Sequence, residues 1–354
     1  MTNSALPILS VKDLKTYYFQ DEGVVRAVDG ASFDVYSGRT LGIVGESGCG
    51  KSVTARSILR IVEETGEITE GEILLRQSHG NGQVDEIDLT KLDANGRKMR
   101  AIRGGEIALI FQEPMTSFSS FHTVGNQIVE AIRLHSDMDK KQAREHGIEM
   151  LRMVGIPKPE RRFDEYSFQL SGGLRQRVMI AMALSSSPSI LIADEPSTAL
   201  DVTTQAQILD LMRRLQEEND LAIILITHDM GVIAEMADDV VVMYLGRVVE
   251  RGPVDDIFHA PLHPYTQALL RSIPSIMAEP RTKLATISGS IPHPYARPTG
   301  CPFHPRCTEA MPGICDVREP VLQSISPGRD VSCFLYEGNT IEQEKIAEND
   351  GGEE

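Results

Sequence analysis

The stretch that decides the fold is Thr40-Leu-Gly-Ile-Val44, followed without a break by Gly45-Glu-Ser-Gly-Cys-Gly-Lys51-Ser52 and then Val53-Thr-Ala-Arg-Ser-Ile-Leu59. A continuous apolar run, a glycine-rich loop and a helix-forming segment follow one another, the strand–loop–helix order that a phosphate-binding loop requires. The loop matches GxxxxGK[ST]. Its glycines let backbone N–H groups turn toward a phosphate, and the helix start adds positive potential. Gly45, Glu46, Ser47, Gly48, Cys49, Gly50, Lys51, Ser52 and Val53 form the candidate nucleotide-contacting set. Lys51 is placed to reach the β- and γ-phosphates, and Ser52 offers a hydroxyl to Mg²⁺, a hard cation that prefers oxygen. Cys49 reads as a small packing residue.

Outward from the loop, Ile8 to about Val35 alternates apolar and polar residues around the turn signal Asp21-Glu22-Gly23, which predicts an antiparallel edge sheet. Ile190-Leu-Ile-Ala193, Ala222-Ile-Ile-Leu-Ile226 and Val240-Val-Val-Met243 are short apolar runs separated by amphipathic stretches, as in a parallel sheet covered on both faces. Ile208, Leu211, Met212 and Leu215 give one intervening helix its apolar stripe. Residues from about 93 to 168 carry apolar side chains at three- and four-residue spacings and predict a mostly helical subdomain. The fold class is therefore α/β.

The first of those runs ends in Asp194-Glu195, two carboxylates at the C-terminal edge of a strand, where open α/β sheets bind ligands. Asp194 is the candidate Mg²⁺ partner. Glu195 is the candidate general base for an attacking water, because phosphoryl transfer relies on positioning and charge compensation. These features fit many phosphate-loop NTPases, kinases and helicases included.

A third element separates the classes. Leu170-Ser171-Gly172-Gly173-Leu174-Arg175-Gln176-Arg177 resembles the signature of ATP-binding-cassette (ABC) proteins. Physically, Ser171, Gly172 and Gly173 open a helix and form a second anion-binding nest. The resemblance implies that this nest completes the ATP site of an opposing subunit, so that two subunits close over MgATP. It further implies that Gln112 in Phe-Gln-Glu-Pro is the Q-loop glutamine, contacting Mg²⁺ and the water while facing a membrane subunit. By the same resemblance Ala199-Leu200-Asp201 is the D-loop, and His228, between Thr227 and Asp229, is the switch histidine at the γ-phosphate. Tyr18 is taken as the aromatic that stacks on adenine, with Tyr17 and Phe19 adjacent and the register open.

Four further segments resemble the oligopeptide/dipeptide class of importer ATPases: Phe111 to Ser117, Arg177 to Leu184, His263 to Leu270 and Gly300 to Cys307. Ser119-Ser120 stands where that class has Asn-Pro, and Leu174 replaces a commoner Met; neither touches phosphate chemistry. The class implies a motor on the cytoplasmic face of the inner (plasma) membrane, bound peripherally to two membrane permease subunits. It also implies a second, different ATPase subunit as hetero-dimer partner and, indirectly, an extracytoplasmic substrate-binding protein. Oligopeptides or dipeptides are its usual cargo; oligosaccharides, opines and nickel are the alternatives. Soluble cassette ATPases of ribosomes or DNA ends carry two cassettes or a long coiled-coil insertion, which this sequence does not show.

Composition agrees. The 354 residues are 41% apolar, enough for a substantial core, and the formal charge of −16 speaks against a nucleic-acid-coating surface. No apolar run approaches the roughly 18–20 residues of a membrane span, and the start MTNSALPILS does not read as a signal peptide. The expected organisation is a nucleotide-binding domain over 1–255, a loop-rich Pro/Cys domain over 256–336 and a disordered acidic tail over 337–354.

The Pro/Cys segment holds Cys301, Cys307, Cys315 and Cys333 with too little apolar content for its own core, so it calls for a staple. A reducing cytosol disfavours disulfides. Four thiolates can hold tetrahedral Zn²⁺ or an iron–sulfur cluster, and four unrelated thiols are the third reading. The spacing lacks the paired CxxC knuckles usual for zinc. Resemblance to the peptide-importer class implies a 4Fe-4S cluster with a structural role.

Overall fold

The structure is a computed structural model that describes residues 6–78, 84–112, 117–198, 200–273 and 287–338. The N-terminal sheet is antiparallel. Strands β1 (Leu9–Gln20) and β2 (Gly23–Val35) make a long hairpin, and β4 (Gly66–Ser78) and β5 (Val84–Asp88) complete the order β2-β1-β4-β5. Between them in sequence lie β3 (Thr40–Val44) and helix α1 (Lys51–Ile58). Every residue of β3 is buried, as the uninterrupted apolar run predicts for a strand covered on both faces.

The second sheet is larger and runs across the molecule in the order β11-β12-β10-β9-β3-β8-β7-β6. Its parallel centre is β9 (Asp239–Tyr244), β3, β8 (Ala222–Ile226), β7 (Ile190–Asp194) and β6 (Ile107–Ile110). The antiparallel strand β10 (Arg247–Pro253) carries the edge pair β11 (Gln323–Ser326) and β12 (Arg329–Val331). Two buried clusters flank this sheet. One includes Leu9, Phe33, Ile43 and Ile58 on the hairpin side; the other includes Ile128, Leu151, Val178 and Leu211 on the helical side.

Around the sheet lie α2 (Arg97–Gly105), α3 (Val124–His135), α4 (Lys140–Met153), α5 (Pro159–Phe163), α6 (Gly172–Leu184), α7 (Val202–Asn219), α8 (Met230–Met236), α9 (Val254–His259) and α10 (Pro264–Arg271). Strong local signals set their starts. Asp139 caps α4 and Gln142 reaches back to it, a capping box. The Ser171 side chain caps α6 and the Asp201 side chain caps α7.

The segment over 93–168 differs from the expected helical block, because Ile107-Ala-Leu-Ile110 is a strand of the large sheet. Four apolar residues carry no periodicity that tells a buried strand from a helix turn. Within 256–336, expected to be loop-rich, α10, β11 and β12 are formed, and the last two extend the same sheet. Of the acidic stretch over 337–354, residues 339–354 lie outside the described residues. No helix among the described residues is long and apolar enough to cross a membrane.

Candidate functional site

The phosphate loop hangs between β3 and α1, and its shape follows from its glycines. Gly45 and Gly50 have φ of 151° and 103°, and a Cβ on either would lie 2.2 Å from a backbone oxygen, that of Met243 or of Ala27. Only glycine fits both the dihedrals and the space. Gly50 forms the N-cap of α1, so the first N–H groups of that helix face the loop's hollow. Lys51 is buried, and its Nζ donates to the carbonyls of Gly45 (2.8 Å) and Glu46 (3.1 Å). Cys49 is buried in the core, where burial pushes its thiol pKa up. This is the packing role expected of it.

The carboxylates arrive on β7. Ser52 Oγ donates to Asp194 Oδ1 at 3.0 Å, joining the loop to the strand end. Burial, above all, holds the Asp194 pKa above its ordinary value, with the Glu195 charge adding to it and the Ser52 bond opposing. Glu195 sits at φ 47°, a left-handed conformation that costs a non-glycine residue about 1 kcal/mol. That strain turns its side chain into a ring of donors. Gln112 Nε2 lies 2.9 Å and Thr198 Oγ1 2.8 Å from Oε2, and His228 Nδ1 lies 3.1 Å from Oε1. Burial works to raise the Glu195 pKa, but the bonds to His228 and Thr198 and the charge of Lys51 outweigh it and leave the group below its usual value. Glu195 is therefore ionised at neutral pH, with both oxygens held in fixed directions.

Such a carboxylate can orient a water and accept its proton. The oxygens of Ser52, Asp194 and Gln112 form the kind of hard donor set that suits Mg²⁺. Among the described residues, no group of three or more His, Cys, Asp or Glu side chains is arranged to hold a metal ion by itself.

A cavity of about 730 Å³ opens over the loop, a size suited to a small-molecule ligand. Ser47, Gly48, Gly50, Lys51, Ser52, Val53, Gln112 and Glu195 line it, so loop, glutamine and glutamate share one space. The remaining wall was not foreseen. Val24, Arg26 and Ala27 come from β2, Leu245 and Gly246 from the β9–β10 turn, and His293, Tyr295, Arg297 and Thr299 from the proline-rich segment. Spaced prolines announce a loop but not what it covers.

Several predicted residues stand apart from that cavity. Tyr18 is absent from its lining; its hydroxyl donates to Glu63. Tyr17 bonds Asp29 at 2.6 Å beneath Arg26, and the β1–β2 pairing is irregular between Thr16 and Tyr17. Ser171, Gly172, Gly173 and Asp201 also lie outside the lining. They form a second cluster, in which a Cβ on Gly173 would lie 2.6 Å from Thr204 Cγ2, and Thr204 is bound by the cap of Asp201 (2.9 Å from N, 2.7 Å from Oγ1). Ser171 and Gly172 are exposed. Of the quoted segments, residues 113–116 and 199 lie outside the described residues.

The four late cysteines do converge. Cys301, Cys307, Cys315 and Cys333 line one small cavity with His263 and Met311, and none is in a disulfide. Burial, first, and the neighbouring thiols push Cys301 and Cys333 up to about 11, and Cys307 is raised for the same reasons.

A phosphate loop between β3 and α1, a glutamate after β7 and a capped Ser-Gly-Gly helix start on one α/β sheet with an antiparallel hairpin define a nucleotide-binding cassette. Comparison with known proteins agrees. Residues 28–198 match the ABC transporter family, and residues 249–315 match the oligopeptide/dipeptide transporter C-terminal region. The chain is 49% identical over 336 residues to the oligopeptide transport ATP-binding protein AppD of Bacillus subtilis, covering 95% of this chain and 99% of that one. It is 45% identical to the dipeptide transport ATP-binding protein DppD of Escherichia coli, covering 93% and 96%. Among solved structures, the dimeric ABC transporter cassette MJ0796 superposes with a TM-score of 0.60 at 27% identity, over 70% of this chain and 98% of that one. A post-hydrolysis form of that cassette bound to ADP and Pi gives 0.59 at 26% identity, again over 70% and 98%. The chain belongs to the ATP-binding subunits of ABC transporters, in the branch that carries the oligopeptide/dipeptide C-terminal region.

Proposed function

We propose that this chain is the MgATP-hydrolysing motor of an importer for oligopeptides or dipeptides, bound peripherally to two membrane permease subunits on the cytoplasmic face and served by an extracytoplasmic substrate-binding protein. The observation that carries the enzymatic part is the Glu195 carboxylate, ionised and held by Gln112, Thr198 and His228 at the rim of the phosphate-loop cavity. In this reading Lys51 binds the β- and γ-phosphates, Glu195 takes the proton of the attacking water, and His228 follows the γ-phosphate. Mg²⁺ supplies charge compensation to the phosphates, and Ser52, Gln112 and Asp194 are the residues that would hold it. The peptide cargo is carried by the relatives at 45–49% identity and the matched C-terminal region. Uptake of a labelled panel by the reconstituted transporter tests it: dipeptide or oligopeptide uptake is expected, and uptake of an oligosaccharide, opine or nickel alone would overturn it.

Ser171, Gly172, Gly173 and Asp201 lie away from the phosphate cavity on an exposed face, which supports a head-to-tail pair in which each signature closes the other subunit's site. A second, different cassette subunit is the partner we assign. The cysteine cavity is assigned a 4Fe-4S cluster held by Cys301, Cys307, Cys315 and Cys333. What supports this assignment is that the four cysteines line one small cavity and none is in a disulfide. Bound there, the cluster cross-links a segment short of apolar side chains. Anaerobically purified protein is expected to be brown with about four irons per chain; colourless, iron-free protein with four reactive thiols would refute the assignment.

A further inference from the structure

Glu46, expected among the nucleotide-contacting residues, is an acidic residue inside a loop built to receive a polyanion, yet it is absent from the cavity lining and the assigned chemistry gives its side chain no task. The structure shows where it goes. Arg306 Nη1 lies 2.7 Å from Glu46 Oε2 and Nη2 lies 3.0 Å from Oε1, a bidentate fork across 260 residues of sequence. The Arg306 side chain is 4% exposed and that of Glu46 21%. Arg306 is itself fixed: Nε donates to the Ser288 carbonyl at 3.0 Å, and Nη1 lies 3.3 Å from Tyr244 Oη. The loop's backbone is held from the same side, since the Glu46 N–H donates to Tyr265 Oη at 2.8 Å. Tyr265 packs in an aromatic trio with Tyr244 and Phe303, at centroid distances of 4.7 and 5.3 Å. Arg306 ends the short turn His304–Arg306 and directly precedes Cys307. The segment that carries the cysteines thus supplies the side chain that pairs with Glu46 of the phosphate loop.

We infer that Arg306 is a positioning residue for nucleotide binding: its fork cancels the Glu46 charge and draws that carboxylate away from the loop's hollow, so that the loop accepts a triphosphate. Without the guanidinium, the Glu46 charge is uncompensated in a loop that receives a polyanion, and like charges near one another in a partly buried site repel strongly. The inference rests on the reading of this loop as the MgATP site; a wild-type chain that bound no MgATP would sink that reading, separately from anything Arg306 does.

The test is a double-mutant cycle on the full chain, reading the MgATP dissociation constant by titration calorimetry alongside the thermal unfolding midpoint. Arg306→Met is expected to weaken MgATP binding by about tenfold, from an uncompensated charge at this range. Glu46→Gln alone is expected to stay within about threefold of wild type, because it removes the charge along with the fork. In the Arg306→Met/Glu46→Gln double variant the affinity is expected to return to within about threefold of wild type. A purely structural fork predicts the reverse, a double variant at least as weak as Arg306→Met. Wild-type affinity in folded Arg306→Met, or failure of Glu46→Gln to restore binding, would overturn the inference. Should Arg306→Met not fold, Arg306→Gln keeps a hydrogen-bond donor but removes the charge; MgATP affinity closer to wild type in Arg306→Gln/Glu46→Gln than in Arg306→Gln supports the inference, and no such gain refutes it.

Discussion

Asp29 offers the sharpest quantitative test of how the late segment is joined to the cassette. Its carboxylate is almost wholly buried at 3% exposure and accepts from Tyr17 Oη at 2.6 Å, Arg247 Nη2 at 3.1 Å and Arg297 Nη1 at 2.6 Å. One side chain of β2 therefore ties together β1, β10 and the proline-rich segment. Asp29→Asn keeps the volume but removes the negative charge that both guanidinium groups share at Oδ2. Removing one partner of a buried charge pair costs about 3–5 kcal/mol, and the partial exposure of Arg247 points to the low end, about 3 kcal/mol. Urea unfolding followed by far-UV circular dichroism should show a lower midpoint with an unchanged slope. The pH dependence has a definite sign. Burial works to raise the Asp29 pKa, but Tyr17, Arg247 and Arg297 outweigh it and set it below 3.8. The stabilisation is therefore full above the unfolded value near 3.8 and is lost as pH falls through the lower folded value. A loss under 1 kcal/mol at pH 7 would refute the argument that this cluster anchors the late segment.

Three other outcomes follow from the site. Gly50→Ala puts a Cβ 2.2 Å from the Ala27 oxygen at φ 103°, so MgATP affinity measured by calorimetry should fall at least about tenfold with a lowered melting point. Thr198→Val removes a bond that lowers the Glu195 pKa, so the acid limb of the pH–rate profile for ATP hydrolysis should move to higher pH; an unmoved limb would deny Thr198 that role. Gly173→Val drives a side chain into Thr204 and disturbs the signature helix start without touching the phosphate cavity. Steady-state hydrolysis should collapse while MgATP affinity of the isolated chain stays within about twofold.

The strand–loop–helix at Thr40 to Leu59 was legible because glycine spacing and an unbroken apolar run have few other readings. Glu195 was legible from its place after an apolar strand and His228 through the family resemblance, and the structure brings them to 3.1 Å. Thr198 was not, because a threonine in a turn carries no signal of the carboxylate it will bind. The strand Ile107–Ile110 was hidden by its brevity. Strands β11 and β12, Gln323–Ser326 and Arg329–Val331, were hidden by their brevity and polar composition: four and three residues, mostly polar, carry no alternation long enough to read, although Asp330 and Val331 are buried. Tyr18 illustrates a limit of register: its hydroxyl meets Glu63 while that of Tyr17 meets Asp29, and nothing in the run of three aromatics announces either partner. Contacts such as Arg306 with Glu46 and Arg297 with Asp29 join positions 260 and 268 residues apart, and nothing local in either segment announces the other.

The central claim is that Glu195, held by Gln112, Thr198 and His228, is the base of an ATP-driven motor. Parallel measurement of MgATP binding and of hydrolysis for Glu195→Gln in the assembled transporter tests it most directly. The account predicts binding within about twofold of wild type and turnover reduced at least about a hundredfold. Turnover like that of the wild type would contradict it.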